Sequence, residues 1–407
     1  MLFRSDETYY AKNAFALSRY GVEVNVLNRS PEFVVHPPVG KWLIAVGIKL
    51  FGNNEFGWRI SAAVIGSFSV TLMYFTARKL FNSQFLSVAA SFLILVDGLH
   101  LVHSRVALLD IFLMFFIQVA LLAVLYSRYW IAGFALGLAC GVKWSGLYFL
   151  IAFALLVLIF DWIRYRFLGY ENPIKEFLQK DFLKRTLQFI FLPLLTYMLS
   201  WSGWFFSKSG WDRHWSKNPF KSLWHYHAEI LNFHTNLTEK HPYMANPWSW
   251  LIMGRPTSFF YETPNTCGVK NCSREVLALG TPLIYWSIAV AFIIVIGIWI
   301  QSRDLTAGII LTAIGAGYLP WFAFQKRTMF TFYTISFEPF LMLLLIYLLH
   351  RYFQSAKDEE QLQKRKSVAF AIGAIYLACF LYFLPIYYGQ TLTYNSWYDH
   401  MWLPSWI

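Results

Sequence analysis

Nine apolar runs long enough to cross a bilayer constrain this chain more than any motif in it. They fall at 57–77, 85–102, 106–126, 146–163, 187–206, 281–300, 305–323, 330–349 and 367–388. A hydrocarbon core of ~30 Å takes about 20 residues of helix at 1.5 Å each. No water is present there to satisfy a backbone that is not internally hydrogen-bonded, so the runs must be helices. A tenth run, WIAGFALGLACGV at 130–142, is shorter and crosses only if tilted or if the bilayer thins around it. The expectation is an all-α polytopic membrane protein with about ten spans. Composition agrees: 57% of the 407 residues are hydrophobic and 14% charged, against roughly 25% charged in soluble domains.

Basic residues orient the bundle. With ten alternating spans, Arg78 and Lys79, Arg128, the stretch from Arg164 to Arg185, Arg303 and the stretch from Arg351 to Lys366 share one side, which the positive-inside rule makes cytoplasmic. The other side receives a head (1–56), the corner DGLHLVHSR, the KWSG corner, a polar segment (207–280), FQKRT and the C-terminal tail. Four units follow: the head at 1–56, an N-terminal bundle at 57–206, an external loop region at 207–280, and a C-terminal bundle with an external tail at 281–407. The formal charge of +12 lies largely in these short loops and comes with no nucleic-acid-binding motif, so lipid headgroups or a phosphate-bearing substrate are the anionic partners expected. Cys267 and Cys272 sit in a polar loop and form a local disulfide if that loop faces an oxidising compartment. No metal site is expected, since neither this pair nor His100 with His103 has evident further ligands.

The polar residues concentrate at the outer ends of the runs. Asp6 and Glu7 precede every span. In FVVHPPVGKWLIAVGIKLFG the two prolines hold His36 extended, and the run after them, with Lys41 and Lys49, reads as a helix lying at the interface. Arg59 opens the first run, where a cation is either an anchor or an anion site. In LVDGLHLVHSRVALLD, Arg105 is expected to pair with Asp110 or Asp97. Lys143, Lys326 and Arg327 complete a cationic rim around two carboxylates. That combination suits an anionic lipid donor whose phosphate leaves while a hydroxyl is deprotonated.

These residues resemble the protein O-mannosyltransferases. The matching stretches are DE near the start, VVHPPVGKWLIA, FGWR, DGL…SR.ALLD, GLACGVKWSGLYFL, RPTSFFYE, LALGTPLIYW, RTMFTFYTISFEPF and the final MWLPSWI, in the family's order and over nearly the whole chain. Segment 207–280 has no room for the MIR domain of eukaryotic members, which points to the bacterial type. The resemblance implies the GT-C glycosyltransferase architecture, with an external catalytic loop and a long external loop. It also implies transfer of mannose from polyprenyl-phosphate mannose to Ser or Thr hydroxyls of secreted or membrane proteins, alongside the secretion machinery, at the extracytoplasmic face of the cell membrane. Beyond the lipid-linked donor it implies no cofactor. Family members carry a span ahead of the acidic loop, whereas five residues precede Asp6 here; the chain is therefore expected to lack that first span of an eleven-span plan.

Residue by residue, the resemblance makes Asp6 the catalytic carboxylate and Glu7 its functional neighbour. By the same resemblance Arg59 falls at the donor and His36 and Lys41 shape the same pocket; Arg105 and Arg327, from the cationic rim, are expected around the phosphate. Arg255, Tyr261 and Glu262 fall in a loop, where they are expected to contact the acceptor or the loop itself. A single displacement with Asp6 as base would invert the anomeric centre. Two rivals remain open: a GT-C transferase that moves another polyprenyl-phosphate sugar to a lipid or glycan, and a membrane transporter.

Overall fold

The computed structural model describes residues 7–265, 267, 268 and 271–407. Among the described residues, ten helical segments, called passes below, follow one another in the order of the apolar runs. Five helices are long and apolar enough to cross a membrane: Glu55–Phe81, Gly146–Phe167, Pro282–Ser302, Leu305–Phe324 and Glu359–Tyr388. Three shorter apolar helices, Gln84–Leu95, Asp110–Leu125 and Tyr129–Val142, pack inside the first half. The remaining passes are Glu338–Gln354 and a composite that runs through a π-helical turn, Leu187–Phe191, into Leu192–Ser200.

The short run at 130–142 is a helix, and its sequence explains how it packs. Gly133, Gly137 and Gly141 recur every four residues and form one bare stripe. A Cβ on Gly133 would lie 1.8 Å from the Gln188 carbonyl oxygen, and one on Gly137 would lie 2.9 Å from the Pro193 backbone. The two helices therefore meet backbone to backbone. The π-helical turn sits at that contact, and an extra residue in one turn re-aims a helix in this way.

Two helices outside the passes build the head. Glu7–Tyr20 packs on Val39–Phe51, and Val39–Phe51 packs on Glu55–Phe81. The second of these is formed by the run expected to lie at the interface, with Pro38 at its N-cap. Segment 207–280 holds more structure than a loop. It contains the helix Pro219–Asn236 and two strands, β1 (Thr257–Glu262) and β2 (Cys272–Ala278), which with β3 (Thr391–Thr393) make an antiparallel sheet in the order β1-β2-β3. Cys267 and Cys272 are joined by a disulfide at the hairpin's tip. One pass starts later than its apolar run: residues Thr331–Ser336 form a 3-10 turn, and the helix begins at Glu338.

Candidate active site

A furrow of about 960 Å³ opens along the flank of the bundle. One wall is the N-terminal part of Gly146–Phe167, lined from Ser145 to Leu158; the other runs from Arg185 to Tyr197. Thirteen or so helical residues on each side make it about 20 Å long at ~1.5 Å per residue. The walls are mainly apolar, and Leu147, Ile151, Leu155 and Leu194 along them are exposed, so the furrow faces the surrounding lipid. Most of its ionisable residues gather at the end opposite the basic loops, namely His36, Asp110, Lys143, His234 and Arg327, while Arg185 stands at the other end.

The geometry at that head follows from three elements meeting there. Asp110 is the first residue of its helix, and both its carboxylate oxygens accept from Lys143 Nζ, at 2.9 and 2.7 Å. The expected pairing of Asp110 with Arg105 is thus corrected. Lys143 caps the Gly-striped helix as it turns into the next pass, which carries its ammonium back over Asp110. His234 comes from the external helix. Its Nε2 lies 2.9 Å from the Val35 carbonyl oxygen and its Nδ1 lies 3.2 Å from Arg327 Nη2. A carbonyl can only accept and a guanidinium can only donate, so Nε2 carries the proton and the ring is neutral. Burial pushes the His234 pKa down to about 4; the Val35 carbonyl opposes that, and Arg327 and Lys143 add to it. His36, whose ring lies 5.3 Å from that of His234, is also held well below its usual value, first by burial and then by Lys143, His234, Lys41 and Arg327. Two neutral imidazoles, the Lys143–Asp110 ion pair and Arg327 face the space. Arg327 Nε is buried there with no hydrogen-bond partner among the described residues.

Glu7 and Arg59, far apart in sequence, meet beside the head. Arg59 Nε and Nη2 each donate to Glu7 at 2.7 Å, and the Ala107 amide donates to Glu7 Oε1 at 2.9 Å. One turn on from Glu7, the ring of Tyr10 lies 6.1 Å from that of His36. Asp6 lies outside the described residues. Arg59 was expected at the donor; its fork is instead closed on Glu7, and it does not line the furrow.

Other expected site residues stand elsewhere. Lys41 is buried, paired with Glu23 at 2.6 Å and donating to the His36 carbonyl at 2.9 Å; it fixes the HPP segment from behind. Arg105 donates to the Tyr387 carbonyl at 3.1 Å and stacks on Tyr388. Arg255 holds the C-terminal tail through the Ser405 and Ile407 carbonyls and also binds Pro242. Tyr261 meets Ser273 within the sheet, and Glu262 pairs with Arg274 at 3.0 Å. None of these five lines the furrow. Asp97, the other suggested partner of Arg105, caps Gly98–His103 by accepting from the Leu99 and His100 amides and also accepts from the Thr281 amide. His100 and His103 turn to Ser69 and to the Leu99 carbonyl.

Sequence reasoning missed His234. The signal was present in HYHAEILNFH, where His227 and His234 stand seven residues apart and so on one helix face; both line the furrow.

Comparison with known proteins places this geometry. The model of the "Dolichyl-phosphate-mannose-protein mannosyltransferase" family matches residues 8–202, and that of the "C-terminal four TMM region of protein-O-mannosyltransferase" matches residues 219–406. A polyprenol-phosphate-mannose–protein mannosyltransferase of Mycolicibacterium smegmatis is 34% identical over 98% of this chain and 87% of its own length. Among solved structures, the Saccharomyces cerevisiae protein O-mannosyltransferase Pmt1-Pmt2 complex bound to the sugar donor superposes with a TM-score of 0.81 at 15% identity, over 99% of this chain and 89% of that one. ArnT of Cupriavidus metallidurans bound to undecaprenyl phosphate gives 0.55 at 15% identity, over 92% and 60%. The fold is therefore that of the GT-C glycosyltransferases, in a multi-pass membrane protein. With sequence likeness running through both halves, the chain belongs to the protein O-mannosyltransferase family of glycosyltransferases.

Proposed function

We propose that the chain transfers mannose from polyprenyl-phosphate mannose to Ser and Thr hydroxyls of exported proteins, at the extracytoplasmic face of the cell membrane, by an inverting single displacement. The observation that carries this reading is the furrow itself: an apolar, lipid-facing trough that ends in a cationic head with an unused guanidinium N–H. An isoprenoid tail suits the trough, and a phosphate suits the head. The names of the bacterial relatives support the donor and the acceptor class. The head's position opposite the basic loops supports an extracytoplasmic face.

In this mechanism Arg327 donates through Nε to a phosphate oxygen, and Lys143 adds positive charge beside it. The acceptor oxygen attacks the anomeric carbon, the bond from that carbon to the phosphate oxygen breaks, and its electron pair leaves on the phosphate. Cations held in place before reaction stabilise that charge without reorganising. Two neutral histidines nearby add hydrogen-bonding capacity without competing for the charge. The hydroxyl proton passes to Asp6. Glu7 is fastened to Arg59 and to the Ala107 amide beside the head, so Arg59 is a positioning residue acting through Glu7. Attack opposite the leaving phosphate turns a β-linked donor into an α-mannoside.

The test uses the full chain in vesicles with radiolabelled polyprenyl-phosphate mannose and a Ser/Thr-rich peptide. Label should enter the peptide and be released by an α-specific mannosidase, and Asp6→Asn should abolish incorporation while donor binding persists. Near-normal incorporation by that variant removes Asp6 as base. A product resistant to the α-specific enzyme rules out inversion.

A further inference from the structure

The external helix Pro219–Asn236 has two apolar faces where one would suffice. Its inner face, Leu223, Tyr226 and Ile230, is buried against the head and the ends of the passes. A second stripe, Phe220, Trp224 and Leu231, recurs at spacings of four and seven residues and so follows one line along the helix. It is left 64, 78 and 54% exposed. The helix lies across the ends of two passes: His227 Nε2 is 2.7 Å from Tyr197 Oη, and its ring stacks on Trp144. Its axis is therefore fixed at the end of the bundle.

The stripe continues a surface already turned to lipid. Leu195 and Leu199 on the pass below are 57 and 60% exposed, and Phe206 beyond them is 90% exposed. Phe205, next to it, contacts Phe220 ring to ring at 5.3 Å. At the other end Leu231 is itself part of the furrow wall. Exposed Lys221 follows Phe220 in the helix's first turn, and exposed Lys208 and Lys217 precede the helix in the chain. A helix with an exposed apolar line and lysines in and just before its first turn has the composition of a segment that lies in the headgroup layer of anionic lipid.

We infer that Pro219–Asn236 lies in the membrane surface, with Phe220, Trp224 and Leu231 dipped among the acyl chains and the three lysines on anionic headgroups. The mouth of the furrow then sits at headgroup level. A phosphate-bearing lipid reaches the head by sliding sideways from the leaflet, without leaving it. The placement follows from exposure and charge, and it stands whether or not the sugar chemistry proposed above is right.

The test is spectroscopic and needs no turnover. Trp224→Cys in the full chain carries an environment-sensitive fluorophore, since Cys140 and Cys379 are buried and the other two cysteines are joined. In vesicles of phosphatidylcholine with phosphatidylglycerol, a nitroxide on the lipid at shallow depth should quench the label severalfold more strongly than aqueous iodide. The preference should weaken in a Lys217→Glu, Lys221→Glu variant. Quenching mainly by iodide overturns the inference. So does a label shielded from both quenchers, which would place a second copy or a polypeptide on the stripe. A label on Glu229→Cys, on the polar side, should give the opposite preference; equal quenching at both sites would also refute it.

Discussion

Arg327 uses one nitrogen on His234 and keeps Nε buried without a partner among the described residues. An unmet buried donor costs about 1–3 kcal/mol, so a ligand oxygen that fills it recovers stability the free protein lacks. Arg327→Gln should therefore raise the donor KM on the order of ten- to a hundredfold, the equivalent of about 1.5–3 kcal/mol for a hydrogen bond to a charged group. Arg327→Lys should recover only part of that, because a point charge does not reproduce the fork. Steady-state kinetics with varied donor checks both, and an unchanged KM in the Gln variant removes the phosphate from this position. His234 gives a second outcome at this scale. Its pKa falls from 6.5 to about 4 on folding, so the unfolded chain takes up the proton first as pH drops. The neutral ring's contribution is complete above about pH 6.5 and is lost as pH falls toward 4, with a slope of up to about 1.4 kcal/mol per pH unit. His36 and His227, also pushed down by burial, act in the same direction. Thermal unfolding in detergent between pH 7 and 4.5 should show a steeper loss for the parent than for His234→Gln; parallel curves would contradict the assignment.

Among the elements, the short helix Tyr129–Val142 depends on its bare stripe. Gly133→Ala places a Cβ against a carbonyl that can retreat only by moving the π-helical turn, and overpacking of this kind costs about 1–3 kcal/mol. Gly297 on Pro282–Ser302 has nothing within 4 Å of its would-be Cβ, so Gly297→Ala should be neutral or stabilising by up to about 1 kcal/mol. Comparing the two melting temperatures separates close packing from propensity. The positions of the passes were legible in the apolar runs because hydrocarbon leaves the backbone few choices. Where the reading failed, side chains offered the backbone something else. In TFYTIS the Thr331, Thr334 and Ser336 hydroxyls donate to backbone carbonyls, an alternative that favours turns. Pro339 then sets the start of the helix at Glu338. The sheet was not legible because β3 joins from residues 391–393, more than a hundred positions after β2. At the site the charged residues announced themselves at the ends of apolar runs, but their partners did not. Asp110 with Lys143 and Glu7 with Arg59 are contacts across 33 and 52 positions, which only the packed bundle brings together.

At the scale of the whole molecule, the furrow ties the chemistry at one end to the lipid along the flank. Ala154 lies on its wall between the head and the end where Phe177, Phe182 and Arg185 stand. A Trp there would fill the trough without touching any residue of the head. If the trough holds the isoprenoid, Ala154→Trp should suppress transfer from a long polyprenyl-phosphate mannose at least tenfold. Transfer from a short, water-dispersed isoprenyl analogue, which reaches only as far as the head, should be nearly unaffected. The ratio of the two rates is the informative quantity, because misfolding or loss of chemistry lowers both together. An unchanged ratio would mean that the tail lies elsewhere on the bundle and that the apolar trough is filled by bulk lipid during the reaction. A ratio that falls with each added isoprene unit, then levels off at a length near that of the furrow, would place the tail along its full 20 Å or so of helical wall.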